Sequence, residues 1–306
     1  MEHEIKISLN KLSREIKCNF PFSRIKIFYP SGKRKTSKRL YIKVSTKQGS
    51  IFGKFSKEKD KGIAREAKIL EKISVKQFYV PKVLLKVNNG FFMFAVKGYP
   101  MEFFLKDNRI KKSIKILEKA VSLMAKFHTA TEIQHISFKK KLYIYSKLTG
   151  KFKVNDEQRK TVESVSIGYM HGDLDPFNMF FEKKTGDYAL IDWENFCSDG
   201  FQELDILHFL IMTSVIFYPK ENFKNLYTKI FIANTDINKI FNKLLDTYCK
   251  LRKKNKNQIM KLLPIYCDFQ IKRLLRTKRN PQNFVYPVFK KLFYETQRNK
   301  NYKYEN

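Results

Sequence analysis

Three side chains of the kinds that metal-assisted phosphoryl transfer needs lie in one short stretch of the chain. Asp173 and Asn178 are five residues apart in HGDLDPFN, and Asp192 follows a short turn, in ALIDWE. One carboxylate can orient an acceptor hydroxyl and take its proton, while a second carboxylate and an amide oxygen can bind Mg²⁺. The offset of five matches that of a kinase catalytic loop. We therefore predict Asp173 as the catalytic base, with Asn178 and Asp192 as metal ligands.

The same stretch is an electrostatic exception. Between His171 and Asp205 there are nine acidic residues against two lysines, a balance of −7, in a chain of 306 residues with a net charge of +33. Such an island suits a divalent cation. The positive charge on the rest of the chain could attract the protein to anionic surfaces without specificity, and it also attracts ATP. Because lysines are spread along the whole chain, an AT-rich genome explains the excess as well as an anionic partner does, and no specific nucleic-acid partner is predicted.

HGDLDPFN followed by LIDWE resembles the aminoglycoside phosphotransferase and choline kinase-like family of small-molecule kinases. The continuation GFQELDILHFL, the earlier VPKVL and the helix that ends in AKFH are similar to the same family. The resemblance covers roughly residues 25–215. It implies an α+β, bilobal protein kinase-like fold, with a small antiparallel-sheet lobe and a larger, mainly helical lobe. It also implies ATP in the cleft between the lobes and Mg²⁺ on Asn178 and Asp192.

The resemblance implies supporting roles for four further residues. Lys54 in IFGKF takes the position of the phosphate-binding lysine, and Glu66 in AREAKILEKI takes that of its partner on the following helix. His171 takes a structural histidine position, and Asp205 braces the catalytic loop. Lys43 in YIKVS is a rival to Lys54. We prefer Lys54 because it directly precedes the helix that carries Glu66.

Two features depart from protein kinases. The loop PSGKRKTSK between the first two predicted strands contains Gly32 alone and does not form a G-x-G-x-x-G sequence. IDWE stands in place of the metal-binding motif of protein kinases. The loop gives no support to phosphate binding, and the tryptophan of IDWE points away from protein kinases. The resemblance implies a small-molecule acceptor with a hydroxyl group, such as a sugar, an aminoglycoside, an amino alcohol or a glycan precursor.

The first part of the chain predicts a small sheet. RIKIFY, RLYIKVS and IFGKF read as an antiparallel meander, and KGIAREAKILEKI has the apolar spacing of a helix. Two more strands are expected at Lys82–Val87 and Phe91–Val96. We place a boundary near Lys97, between a nucleotide-binding lobe over residues 1–96 and a catalytic and acceptor-binding lobe over residues 97–306.

The second part of the chain predicts helices. Arg109–Ala130 has the pattern of a long helix, and further helices follow from Glu203 onward. Residues 132–165 are polar and basic, and we expect them to be irregular. His128 and His208 are predicted to be packed core residues.

Nothing in the sequence indicates export. The four cysteines are scattered without a CxxC pair, which argues against a zinc site or a disulfide framework and fits a reducing compartment. MEHEIKISLN lacks the apolar segment of a signal peptide. The longest uncharged apolar run, Ile206–Tyr218, has 13 residues and is too short to cross a bilayer. We expect a cytoplasmic protein.

Two other functions stay open on the sequence alone. One is a pseudokinase that binds nucleotide without transferring phosphate. The other is a basic nucleic-acid or membrane-surface binding protein that uses a kinase-like scaffold. The sequence also leaves open whether the nucleotide is ATP or GTP.

Overall fold

The computed structural model describes residues 2–15, 25–29, 38–46, 49–73, 76–105 and 110–302. Gly32 with most of its loop, Cys18 and Arg109 lie outside the described residues. Contacts divide the chain into two compact units. The first consists of Met1–Tyr99 and Met179–Asn195, and the second of Pro100–Asn178 and Phe196–Asn306.

The chain up to residue 100 forms two helices and six strands within the described ranges. In order they are α1 (Glu2–Glu15), β1 (Ile25–Phe28), β2 (Arg39–Thr46), β3 (Gly49–Ser56), α2 (Lys61–Lys72), β4 (Val83–Val87), β5 (Gly90–Phe94) and β6 (Tyr99–Pro100). Five of the strands build an antiparallel sheet in the order β1-β2-β3-β5-β4. The predicted meander and the two strands after it are confirmed.

One face of this sheet carries the core of the first unit. Along β2 every second residue is buried, including Leu40 and Ile42, because successive side chains of a strand point to opposite faces. Leu9 and Leu12 of α1 pack against them. The N-terminal helix, which carries few sequence signals, is therefore part of the sheet's core.

The remaining elements are mostly helical. They are α3 (Met101–Leu105), α4 (Ile110–Thr131), α5 (Phe138–Thr149), α6 (Asp156–Ser164), β7 (Ile167–Met170), β8 (Met179–Glu182), β9 (Asp187–Leu190), a 3-10 turn (Trp193–Asn195), β10 (Cys197–Phe201), α7 (Glu203–Phe217), α8 (Phe223–Phe231), α9 (Asp236–Arg252), α10 (Lys256–Met260), α11 (Leu263–Arg276), a 3-10 turn (Pro281–Asn283) and α12 (Val285–Tyr302). No helix in the described ranges is long and apolar enough to cross a membrane. The fold is α+β, with an antiparallel sheet followed by a largely helical region.

The hairpin β8–β9 belongs to the first unit although the chain reaches it late. The two strands pair antiparallel from Met179 opposite Leu190 onward. The amide of Tyr79 donates to the carbonyl of Tyr188 at 2.8 Å, and the amide of Leu190 donates to the carbonyl of Tyr79 at 3.0 Å. Main-chain hydrogen bonds thus hold the hairpin to the segment before β4. The division into lobes near residue 97 stays a prediction.

Residues 132–165 are more regular than predicted. They form α5 and α6, each with a side-chain cap. Ser137 accepts a hydrogen bond from the amide of Lys140, and Asn155 forms a reciprocal capping box with Gln158. A capping side chain satisfies amides that the first helical turn leaves without partners, so polar sequences of this kind can still begin helices. The expectation of an irregular segment was wrong because it gave no weight to these caps.

Candidate active site

A buried lysine lies between two carboxylates in the first unit. Lys54 Nζ is 2.6 Å from Glu66 Oε2 and 2.6 Å from Asp192 Oδ1. Lys54 and Glu66 are 4% and 1% exposed, whereas the side chain of Asp192 is 30% exposed. The ammonium group therefore forms a buried ion pair with Glu66 and a second ion pair with the partly exposed Asp192.

Secondary structure sets this geometry. Lys54 lies on β3, opposite Tyr41 of β2 and Phe91 of β5, and Glu66 is on the buried face of α2. Asp192 follows β9 with a φ of 61°, a left-handed conformation that is uncommon outside glycine. Each of the three is fixed by a different element.

Local hydrogen bonds stabilise the turn before α2, the helix that carries Glu66, and the turn after β9, which carries Asp192. The carboxylate of Asp60 caps α2 by accepting hydrogen bonds from the amides of Gly62, at 2.8 Å, and Ile63, at 3.3 Å. After β9, the indole N–H of Trp193 donates to the carbonyl of Leu190 at 3.0 Å. These bonds limit the freedom of the residues that precede Glu66 and follow Asp192.

The electrostatics of the group favour a charged lysine. Burial alone would lower the pKa of Lys54, but the neighbouring carboxylates of Asp192 and Glu66 outweigh burial and raise this pKa above its ordinary value. Burial raises the pKa of Glu66 to about 7, against the opposing effect of Lys54. Lys54 is thus held as a cation between the two carboxylates.

Arg39 and Glu194 extend this group and were not predicted as part of it. Arg39 donates through Nε to Asp60 Oδ2 at 2.7 Å, and its Nη1 is 2.8 Å from Glu194 Oε2. Glu194, Glu66 and Asp192 have carboxylate oxygens within 4.8 Å of one another. Arg39 thereby ties the cap of α2 to the residues beside Asp192.

The predicted base lies in the second unit, in a loop between β7 and β8. Asp173 Oδ1 is 3.0 Å from His208 Nε2 and is also in contact with Nη1 of Arg273. Burial alone would raise the pKa of Asp173, but Arg273 and then His208 outweigh burial, so this pKa falls well below its usual range. Asp173 is an ionised hydrogen-bond acceptor with 18% of its side chain exposed.

Asn178 lies in the same loop and is oriented by it. Its Nδ2 donates to the carbonyl of Asp173 at 2.9 Å. Asp175 Oδ1 accepts hydrogen bonds from the amides of Phe177 and Asn178, both at 2.9 Å, which closes the turn around Pro176. Because its nitrogen is used inside the loop, Asn178 has its side-chain oxygen left for a ligand.

Asp205 braces the loop from α7. Its carboxylate accepts hydrogen bonds from the amide of His171 at 2.7 Å and from the amide of Gly172 at 2.9 Å. Asp205 is 1% exposed, and His171 is fully buried. Gly172 has a φ of 79°, which a residue with a side chain rarely adopts. The loop that carries Asp173 is therefore held at its start by two charge-assisted hydrogen bonds.

We expect Asp205→Ala to be one of the more destabilising substitutions in the second unit. It leaves two buried amides without an acceptor, which should lower the free energy of unfolding by about 2–5 kcal/mol. Urea denaturation followed by circular dichroism measures the change. Asp246→Ala is the control, because its partly exposed ion pair with Lys256 should contribute only about 0–1 kcal/mol. Equal losses in the two variants would contradict the bracing role.

His208 and Arg273 are the contacts that sequence reasoning missed. His208 is 2% exposed, as predicted for a core residue, yet its Nε2 faces Asp173 while its Nδ1 is 2.8 Å from the hydroxyl of Tyr266. His208 lies three residues after Asp205, and this spacing on α7 could have indicated a second side chain aimed at the loop. Arg273 lies a hundred residues after Asp173, on α11, and no local pattern links it to the site.

The predicted residues thus fall into two groups. Lys54, Glu66 and Asp192 meet in the first unit. In the second unit, Asp173 and Asn178 share one loop, which Asp205 holds through the amide of His171. Lys43 is exposed on β2 and does not join the carboxylates that surround Lys54.

Comparisons with known proteins assign the fold. No protein-family model and no curated protein sequence matches the chain. Among solved structures, a Ralstonia eutropha JMP134 protein with a provisional description as an aminoglycoside phosphotransferase is similar over 93% of this chain and 96% of its own, with a TM-score of 0.57 and 13% identity.

Two further structures are similar at a lower level. The macrolide 2′-phosphotransferase MphH of Brachybacterium faecium is 11% identical over 87% of this chain and 92% of its own, with a TM-score of 0.47. A Plasmodium vivax ethanolamine kinase is 14% identical over 84% and 79%, with a TM-score of 0.44. Since both scores are below 0.5, the assignment rests on the Ralstonia protein. The chain has the α+β kinase fold of the Ralstonia protein, with an antiparallel sheet followed by a largely helical region.

Proposed function

We propose that the chain is an ATP-dependent phosphotransferase that transfers the γ-phosphate to a hydroxyl group of a small molecule. The observation that carries this proposal is the buried Lys54, held at 2.6 Å from both Glu66 and Asp192. Kinases need a lysine on the phosphates, a helix-borne glutamate that holds it, and an aspartate that binds the metal. A buried ion pair seldom adds to stability, so a functional reason for retaining this one is favoured.

Asp173 is the proposed catalytic base. An ionised carboxylate fixed by Arg273 and His208 is suited to accept the hydrogen bond of an acceptor hydroxyl and to orient it. Because its lowered pKa makes it a weak base, it takes the proton only as the phosphoryl group arrives and the hydroxyl becomes acidic. Asp205 and His171 keep the loop in place, and the buried Asp175 holds the turn between Asp173 and Asn178. These contacts hold Asp173 in the place where it would meet the hydroxyl.

Asn178 and Asp192 are the proposed ligands of Mg²⁺. Their donor set fits, because a carboxylate and an amide oxygen are hard ligands that Mg²⁺ accepts. Asp192 uses Oδ1 toward Lys54, which leaves its Oδ2, and Asn178 uses its nitrogen toward Asp173, which leaves its one side-chain oxygen; both side chains are partly exposed. When bound, the metal would neutralise charge on the nucleotide phosphates.

The experiment that tests the proposal is ADP release from Mg-ATP in the presence of acceptors. The panel contains sugars, amino alcohols, aminoglycosides and glycan precursors, with GTP run beside ATP. We expect turnover that stops when EDTA removes the metal and returns with added Mg²⁺. Transfer of labelled γ-phosphate to the acceptor separates kinase activity from ATP hydrolysis.

A thermal-shift titration with Mg-ATP decides between this proposal and its alternatives. Binding without turnover on any acceptor would favour the pseudokinase. Absence of binding, together with a steep salt dependence of RNA or anionic-lipid binding, would favour a basic surface-binding protein.

A further inference from the structure

Arg273 is a mostly buried cation in direct contact with the proposed base. It lies in the last turn of α11, and 14% of its side chain is exposed. Within the described residues, its guanidinium has one ion-pair partner, Asp173, which it contacts through Nη1. That nitrogen is itself buried.

A guanidinium group needs more partners than this. It carries five N–H donors in a planar fork and no acceptor. Leaving such donors without acceptors in a mostly buried position costs free energy. Two donors on one edge match the oxygens of a carboxylate or phosphate, which is the pairing that arginine makes best. Arg273 therefore has donor capacity left over next to the atom that would receive the acceptor's proton.

The surrounding groups do not favour a cationic acceptor. Asp173 Oδ1 is already contacted by both Arg273 and His208. Asp175 is 8% exposed, accepts two backbone hydrogen bonds through Oδ1, and has its Oδ2 at 3.8 Å from His208. An amine that approached the other oxygen of Asp173 would meet the positive charge of Arg273.

A metal ion is not the expected occupant either. Asp173, Asp175 and His208 have ligand atoms within 4.8 Å of one another. Arg273, however, already supplies a positive charge beside Asp173, and a divalent cation there would be repelled by it. The cluster is thus better suited to an anionic oxygen that Arg273 can bind than to a second cation.

We propose that the acceptor carries a carboxylate or phosphate group close to the hydroxyl that is phosphorylated, and that Arg273 binds this anionic group. The proposal rests on the proposed phosphotransferase function and names its substrate class. Arg273 holds Asp173 with one N–H and the anion of the acceptor with others, so the hydroxyl is aligned with the base. Aminoglycosides and choline-like cations are excluded as preferred acceptors.

The test uses four matched probes, namely glucose, glucosamine, glucuronate and glucose 6-phosphate, with inorganic phosphate as the smallest anion. Calorimetry measures their binding to the full chain saturated with Mg-ADP, so that nucleotide phosphate sites are filled. We expect the anions to bind the native protein roughly 10- to 100-fold more tightly than glucose, the range of one charge-assisted hydrogen-bonded contact. Arg273→Gln should lose this preference, and Arg273→Lys should keep part of it.

Arg276→Gln is the matched control, since Arg276 is an exposed arginine three residues further along the same helix. It should bind the anions like the native protein, and circular dichroism checks that all variants fold. Equal anion affinity in Arg273→Gln, tighter binding of glucosamine, or no binding of any anion would overturn the inference. A failure of Mg-ADP to bind would instead count against the phosphotransferase proposal, and anion binding at Arg273 could still be measured without nucleotide.

Discussion

Replacing Asp173 by asparagine is expected to lower the rate constant of phosphoryl transfer by a factor of about 10²–10⁴, the usual contribution of a positioned acid or base. Asparagine has nearly the same shape and can still accept hydrogen bonds from His208 and Arg273, so the loop should keep its structure. It cannot take the proton of the hydroxyl. The measurement is single-turnover transfer of labelled γ-phosphate to the best acceptor of the panel.

The control for this variant is Asp187→Asn, which makes the same chemical change at an exposed position on β9. We expect Asp187→Asn to react like the native protein. Mg-ATP affinity, followed by thermal shift, should be unchanged in both variants, because Asp173 is assigned to the acceptor and not to the nucleotide. Native-like turnover of Asp173→Asn would remove Asp173 as the base.

Replacing Lys54 by methionine should weaken both the fold and the use of ATP. Methionine fills similar space, but it leaves Glu66 as a buried carboxylate without its cation, and such a loss costs about 3–5 kcal/mol of unfolding free energy. Loss of the charge-assisted contact with phosphate should lower kcat/KM for ATP roughly 10- to 100-fold. Urea denaturation and steady-state kinetics measure the two effects separately.

Lys43→Met is the matched control, because Lys43 is the rival lysine and is exposed on the neighbouring strand. Lys43→Met should change neither the free energy of unfolding nor kcat/KM for ATP. The double variant Lys54→Met with Glu66→Leu should recover part of the stability, since no unpaired charge then remains buried, while kcat/KM for ATP stays low. A loss of ATP affinity in Lys43→Met with none in Lys54→Met would reverse the assignment of the two lysines.

The fold of the first unit was largely predictable because its signals are local. Alternation of apolar residues along β2 and the apolar stripe of α2 each appear within one element. In the second unit, β10 was not predicted. The sequence 197–201, CSDGF, has no strand alternation. It becomes a strand because it pairs with β7, and pairing of this kind depends on tertiary structure.

The candidate site divides in the same way. Asp173 and Asn178 were proposed from the offset of five that a kinase template prescribes, and Asp192 from the hairpin that follows them. Lys54 and Glu66 were proposed from the resemblance to small-molecule kinases. Arg273 was not predictable. It lies one hundred positions after Asp173 and reaches it through the packing of α11, in a chain with 62 lysines and arginines. Among so many cations, composition cannot indicate which one packing brings to Asp173.

The late hairpin β8–β9 has a consequence for how the protein is made. Lys54 and Asp192 are 138 residues apart in sequence, yet both belong to the first unit. On the ribosome, the sheet emerges long before the hairpin that completes its unit, because helices α3 to α6 of the second unit are synthesised in between. A fragment ending at residue 99 would lack Tyr188, Leu190 and the main-chain bonds to Tyr79. Domain dissection of this protein should therefore keep residues 179–195 with the N-terminal sheet, for example by circular permutation.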